Sequence, residues 1–233
     1  MLNLLQLKEG YRYNSDSLLL YDFISTLNPK GKLLDVGCGC GILGLLLKRD
    51  FPSLHVSLLD IQAKNCEIAH ANALANHLSI ESFTCKDFLE VKFEEKFDHI
   101  ISNPPFYHQG GVKSEKDTLS LSRHSSALPF EAFAKKVSKT LSNRGYFTFC
   151  YDAKQLDMLM HALLSNGLNV ENLCFVHPKI DKEASLVLVC ARKNSKSLCR
   201  IHAPLLMCEE EQFTKRVKAI FEKSKTKSLE WMD

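Results

Sequence analysis

From Lys32 to Gly167, short apolar runs that read as strands alternate with stretches of helical period, and few folds accommodate that order. Lys32-Leu33-Leu34-Asp35-Val36 reads as a strand, Ile42 to Arg49 as a helix, His55 to Leu59 as a strand ending at Asp60, and Asn65 to Leu78 as a helix. Ser82 to Cys85, ending near Asp87, and Phe97 to Ser102 follow as strands. Phe130, Phe133, Ala134, Val137 and Leu141 keep helical spacing, Gly145 to Tyr151 reads as a strand, and Leu156, Leu159, Met160 and Leu163 mark a helix that stops near Gly167. Alternation of this kind predicts a parallel sheet covered on both faces. Val170–Val176 and Ser185–Ala191 then come with only a polar turn around Pro178-Lys179-Ile180-Asp181 between them, which predicts an antiparallel hairpin. The expected architecture is an α/β fold with a seven-stranded mixed sheet, an antiparallel last strand and helices on both faces.

The first strand runs into Gly37-Cys38-Gly39-Cys40-Gly41, a loop that lets a ligand approach the backbone and faces it with a helix N-terminus. Gly39-x-Gly41-x-x-Gly44 also satisfies the dinucleotide fingerprint, with Asp60 where a ribose-binding acid belongs, so a nicotinamide-dependent dehydrogenase is a competitor. Asp35 weighs against it. A carboxylate before the loop repels a pyrophosphate and suits a cationic amino group, and S-adenosylmethionine offers an ammonium, a sulfonium and no phosphate. Asp35, Asp60 and Asp87 close three successive strands and would line one crevice at the carboxyl edge of an open sheet. In that crevice Asp60 would hold ribose hydroxyls and Asp87 the adenine amino group. Cys38 and Cys40 read as small residues tolerated between glycines.

A fourth strand ends in Asn103-Pro104-Pro105-Phe106. Each proline lacks an N–H and fixes φ, so the corner is stiff and rich in carbonyl acceptors beside a flat ring. Such a surface suits a planar NH2 group attached to something that stacks. The polar segment from Tyr107 to Pro129, with Gly110 and Gly111, shows no period and would make a flap over that corner.

Composition narrows the setting. The chain has 233 residues, 45% apolar and 24% charged, which is globular, and a net charge of +3 that accounts for no partner by itself. Its nine cysteines include no Cys-x-x-Cys pair, and Cys85, Cys150, Cys174 and Cys190 fall in apolar runs, so neither zinc nor a disulfide framework is expected. The opening Met1-Leu2-Asn3-Leu4-Leu5 is broken by Lys8, Glu9 and Arg12, no leader or membrane span is expected, and a reducing, cytoplasmic location follows. One domain is expected: residues 1–30 as a helical cover, 31–193 as the catalytic core and 194–233 as an extension with a helix.

Asp-Val-Gly-Cys-Gly-Cys-Gly, then Asp60, Asp87 and Asn-Pro-Pro-Phe, resembles the class I methyltransferases that act on amino groups, across residues 33–106. Tyr-Arg-Tyr-Asn-Ser-Asp-Ser-Leu-Leu-Leu near the N-terminus and Arg123-His124 extend the likeness to the bacterial tRNA(Val) adenine-N6 methyltransferase family. The resemblance implies a Rossmann-like class I methyltransferase fold, S-adenosylmethionine as cofactor, tRNA as partner and a cytoplasmic enzyme methylating adenine beside the anticodon. The cofactor is expected on Asp35, Gly37, Gly39, Asp60 and Asp87, with Cys38, Gly41, Ile61, Phe88 and Asn103 beside them. Asn103, Pro104, Pro105 and Phe106 are expected to present the acceptor, with Arg123, His124 and Tyr13 toward substrate. Phe106 departs from the common Tyr, which keeps stacking and loses a hydroxyl. No metal, no membrane and a monomer are expected. A protein-glutamine N5-methyltransferase, which uses the same corner on an amide, and a non-catalytic RNA- or cofactor-binding protein are the alternatives.

Two surface features complete the reading. A C-terminal helix is expected from about Glu209 to Lys223, its acids at the positive end of the helix dipole. Lys223, Lys225 and Lys227 then read as a solvated basic tail.

Overall fold

The computed structural model describes residues 1–6, 14–104 and 130–231. In chain order they form β1 (Leu2–Gln6), α1 (Ser15–Thr26), β2 (Lys32–Val36), α2 (Ile42–Asp50), β3 (His55–Asp60), α3 (Ala63–Ala75), β4 (Ser82–Cys85) and β5 (Phe97–Ser102). There follow α4 (Phe130–Thr140), β6 (Leu141–Asp152), α5 (Leu156–Ser165), β7 (Leu168–His177) and β8 (Leu186–Lys193). The chain then makes four two-residue strands, β9 (Arg200–Ile201), β10 (Leu205–Leu206), β11 (Cys208–Glu209) and β12 (Gln212–Phe213), before α6 (Lys215–Ser224) and β13 (Thr226–Glu230).

The sheet runs β4-β3-β2-β5-β6-β8-β7. Pairing is parallel from β4 to β6, and β8 lies antiparallel between β6 and β7. The seven expected strands are therefore present with the last one reversed, and β9 and β10 pair in parallel on the outer side of β7 to make nine. Successive residues of each strand serve opposite faces. Leu33, Leu58, Ile101, Cys150 and Cys190 pack in one cluster with buried residues of α1, α2 and α3, while Leu34, Leu59, Ile100, Phe149 and Val189 pack in the other with α4 and α5. Both faces are covered, which is why these strands read as unbroken apolar runs.

Asn14 caps α1, its side chain accepting the Asp16 N–H at 3.1 Å. Two local expectations are corrected. The C-terminal helix starts at Lys215, capped by Thr214, because Glu209 to Glu211 are spent on a hairpin in which Glu210 turns at φ 55°. The basic run past it is exposed, as expected, but it is no free tail: Thr226–Glu230 is a strand, paired in parallel with β1. Helix α6 is held on the body by Arg216 and Lys223, which contact the buried Asp22 carboxylate of α1 at 2.6 and 3.0 Å.

The β1–β13 ladder joins two ends of the chain and leaves the other edge of β1 to be satisfied. Asparagines in α3 and at its C-cap do so. Asn72 accepts the Leu5 N–H at 2.7 Å and donates to the Leu5 carbonyl at 3.0 Å, while Asn76 does the same for Asn3 at 2.9 and 2.7 Å. The four-residue spacing places both amides on one helix face, where they act as a substitute strand. Asn72 is fully buried and also donates to the Cys40 carbonyl at 2.9 Å, linking β1 to the glycine loop. Asn72→Ala would leave those backbone groups unpaired, for a loss of about 3 kcal/mol. A fall of roughly 6–12 °C in the calorimetric midpoint is expected for a chain of this size. Asn76→Ala, whose bonds are exposed, should shift it much less.

Candidate active site

Strand register sets the site. Val36 pairs with Leu59 on one side and Ser102 on the other, so Gly37, Asp60 and Asn103, one residue further along each strand, stand abreast at the carboxyl edge. Ser102 Oγ donates to the Val36 carbonyl at 2.8 Å, tying the two strand ends together. The chain runs outward from β2 through β3 to β4 and then returns to β5 on the other side, so this edge holds the switch point where open α/β sheets bind ligands.

Gly37, Gly39 and Gly41 all take positive φ, at 70°, 54° and 85°. A side chain at any of them would be strained. The N–H groups of Gly37 and Cys38 both donate to the Leu59 carbonyl, at 2.8 and 3.0 Å, which folds the loop back over β3. A Cβ on Gly37 would meet nothing within 4 Å, so open space lies on that side of the loop.

Asp60 organises this loop from the neighbouring strand. Its Oδ2 accepts the Gly39 N–H at 2.9 Å, and Oδ1 accepts the Gln62 N–H at 2.9 Å and Asn65 Nδ2 at 3.1 Å. Ile61, next in line, is 48% exposed and offers an apolar surface at the rim. Asp87 is half-buried and caps its own turn through the Leu89 N–H at 2.8 Å. The Phe88 ring turns inward, against Phe93 and Phe133, which leaves only its backbone for a ligand.

Asp35 is 1% exposed. Its Oδ2 accepts the Gly44 N–H of α2 at 3.0 Å, whereas Oδ1 is buried with no partner among the described residues. Desolvation, with a smaller contribution from the charge of Asp60, pushes its pKa up to about 7 against the pull of the Gly44 N–H. A buried carboxylate with one oxygen unmatched is a place for a cation. The ammonium of S-adenosylmethionine has the charge and donors that this oxygen lacks, and the space beside Gly37 admits a ligand, so the residues fit that cofactor. Cys38 and Cys40 are buried beside it. Desolvation pushes the Cys40 thiol to about 12 and Cys38 well above its usual range, so both remain neutral filler and neither is a reactive thiolate.

Asn103 stands half-buried at the end of β5, with Pro104 next to it. Its amide contacts Ser17 of α1 and Cys150 of β6. Sequence reasoning missed both as site residues, along with Asn65 and Asn72, although Ser17 lies inside the N-terminal motif quoted above. Pro105, Phe106, Tyr13, Arg123, His124 and the 107–129 segment lie outside the described residues. Two lysines on this side of the sheet are committed to structure: Lys136 Nζ contacts the Val91 carbonyl, and Lys96 Nζ caps α4 through the Lys139 carbonyl at 2.6 Å.

Comparison with known proteins agrees with this geometry. Residues 13–125 match the model of the methyltransferase small domain family. The chain is a class I S-adenosylmethionine-dependent methyltransferase. It is similar to the tRNA1(Val) (adenine(37)-N6)-methyltransferase of Vibrio campbellii, 28% identical over 182 residues that cover 78% of this chain and 75% of that one. The ribosomal RNA small subunit methyltransferase C of Escherichia coli is 45% identical over 86 residues, covering 36% of this chain and 24% of that one. Among solved structures, a predicted O-methyltransferase from Agrobacterium tumefaciens superposes with a TM-score of 0.69 at 19% identity, covering 92% of this chain and 99% of that one. The methyltransferase fold, the family match and the unmatched oxygen of Asp35 together leave the dehydrogenase reading without support. No helix among the described residues is long and apolar enough to cross a membrane.

The raised pKa of Asp35 gives the apo enzyme a pH signature. The folded state keeps the proton up to about pH 7, while the unfolded chain releases it near the ordinary 3.8. The folded state therefore binds more protons between those values, and stability falls as pH rises through that window and levels off above it. Asp35→Asn keeps an acceptor for Gly44 and removes the charge. Without cofactor, this variant is expected to exceed the parent in chemical-denaturation stability at pH 8, by on the order of 3 kcal/mol. The gap should narrow toward pH 5 and vanish only near pH 4, and a gap independent of pH would disprove the assignment.

Proposed function

We propose that this enzyme methylates the exocyclic N6 of adenine in tRNA, as a cytoplasmic enzyme. The observation that carries the reading is the placement of the Asn103 amide and the Pro104 corner abreast of the glycine loop, across the switch point between β2 and β5. The similarity to adenine-N6 tRNA methyltransferases over most of the chain supports RNA over a protein acceptor, and the shorter similarity to a ribosomal RNA methyltransferase points the same way.

S-adenosylmethionine, when bound, supplies an electrophilic methyl on a sulfonium. In this reading the free Asp35 oxygen meets its ammonium, and Gly37, Gly39 and Gly41 let it lie close to the backbone. Asp60 is engaged by three protein donors, and a carboxylate offers about four lone-pair sites, so one remains for a ribose hydroxyl. Ile61 flanks the adenine ring, and Asp87 and the Phe88 backbone face its edge.

The acceptor amine is a poor nucleophile because its lone pair is delocalised into the base. Asn103 and the Pro104 carbonyl take its hydrogens and hold the nitrogen toward the methyl, so the work of this corner is orientation. Phe106 would stack on the extruded base. The surplus proton leaves after transfer, and no strong base is required.

Labelled S-adenosylmethionine incubated with unmodified bulk tRNA should place label in N6-methyladenosine on nucleoside analysis. Label in protein glutamine, or none despite cofactor binding, would refute the reading. Asn103→Ala should lower kcat by on the order of a hundredfold. The cofactor dissociation constant should stay unchanged, whereas equal loss of both would remove Asn103 from the acceptor side.

A further inference from the structure

Asn103 is gripped from two sides. Its Nδ2 donates to Ser17 Oγ at 3.0 Å, and its Oδ1 accepts from the Cys150 thiol at 2.9 Å. Ser17 belongs to the first turn of α1 and is 1% exposed, while Cys150 lies in β6 and is fully buried. The partners are distant in sequence, by 86 and 47 residues, so the fold brings these three groups together.

An amide has two ends of similar shape and opposite polarity, and its last torsion is soft. The two partners differ in what they tolerate. A hydroxyl both donates and accepts, whereas a thiol is a weak donor and a poorer acceptor. Turning the amide over would set Nδ2 against sulfur and give up the contact to its oxygen. Hence the pair prefers oxygen toward Cys150 and nitrogen toward Ser17. Cys150 stays a donor because burial, reinforced by the nearby Asp16 charge, holds its ionisation well above the usual thiol range.

We propose that Cys150 and Ser17 are positioning residues for methyl transfer, fixing which way round the Asn103 amide is held, oxygen toward β6 and nitrogen toward α1, as it addresses the acceptor amine. This rests on the reading that Asn103 addresses the acceptor. It adds that the orientation of the amide is imposed from α1 and β6, and that a thiol buried in the sheet contributes to turnover without touching substrate.

The test uses the full-length chain with S-adenosylmethionine and unmodified tRNA, measuring kcat, KM and cofactor affinity. Cys150→Ala should lower kcat by about tenfold through misorientation of the amide. Cofactor affinity should be unchanged, and Cys150→Ser, which restores an O–H donor, should recover most of the loss. In an Asn103→Ala background, followed by single turnover, Cys150→Ala should cost nothing further, because a residue acting only through Asn103 has nothing left to act on. Full kcat in Cys150→Ala, or the same loss in both backgrounds, overturns the proposal. Should Cys150→Ala fail to fold, Ser17→Ala tests the other grip: a kcat loss relieved by Ser17→Thr supports it, and parental kcat refutes it. Parental turnover in Asn103→Ala would instead strike the underlying reading, which separates the two failures.

Discussion

The contact between Asp35 and the N–H of Gly44 fixes the rest of the site. It ties the middle of the sheet to the first turns of α2, and it forms only because position 44 has no side chain. A Cβ there would lie 2.4 Å from Leu58 Cδ2 and 3.3 Å from the Asp35 carboxylate. Helix and sheet can thus approach closely enough for a buried acid to reach a backbone donor. Where α2 begins decides where Gly37 to Gly41 must turn, and Asp60 then pins the middle of that turn through Gly39. Two carboxylates from adjacent strands shape the loop before any ligand arrives. The arrangement costs stability in the empty protein, since one Asp35 oxygen is buried without a partner among the described residues. A site that holds an unmatched anion is prepared for a cation, and the same feature that weakens the apo fold gives the cofactor its foothold.

Much of this was legible in the chain because it is local. Strands covered on both faces must be apolar throughout, so β2, β3, β5, β7 and β8 announce themselves as runs, and the buried stripe of α4 keeps its spacing through Phe130, Phe133, Ala134 and Val137. Glycines forced to positive φ and acids at strand ends are likewise written in short segments. What escaped was non-local or ambiguous. β1 and β13 pair residues more than 220 positions apart, and neither has enough period in five residues to demand a partner. The acids of Glu209 to Glu211 imitate a helix start, yet they precede a tight hairpin and the cap is Thr214. Asp60 was read as a ligand for ribose, and sequence could not show that it first serves Gly39, Gln62 and Asn65.

The chain ends illustrate how such distant choices reach the site. β1 has no place in the central sheet, and its edges are satisfied by β13 and by the amides of Asn72 and Asn76. Because Asn72 also holds the Cys40 carbonyl, the loop is braced from behind by a strand at one end of the chain and, through β13, by a strand near the other. Trp231 extends this contact, its backbone N–H donating to the Gln6 carbonyl at 2.8 Å and its ring lying 5.3 Å from the Lys64 ammonium near the start of α3. Elements remote in sequence thus converge on the helix that follows Asp60.

The N-terminal motif acquires a physical meaning from the same geometry. In Asn14-Ser15-Asp16-Ser17, the first residue caps α1 and the last meets the amide of Asn103, so capping fixes the helix whose first turn orients the acceptor corner. The helix start is set by a side chain that satisfies an orphan N–H. A shift of the cap by one residue would rotate Ser17 by about 100° around the helix axis and take its hydroxyl away from β5. The spacing between Asn14 and Ser17 is therefore a constraint on the site as well as on the helix. It links a segment that carries the family likeness to the corner where the chemistry is proposed to occur.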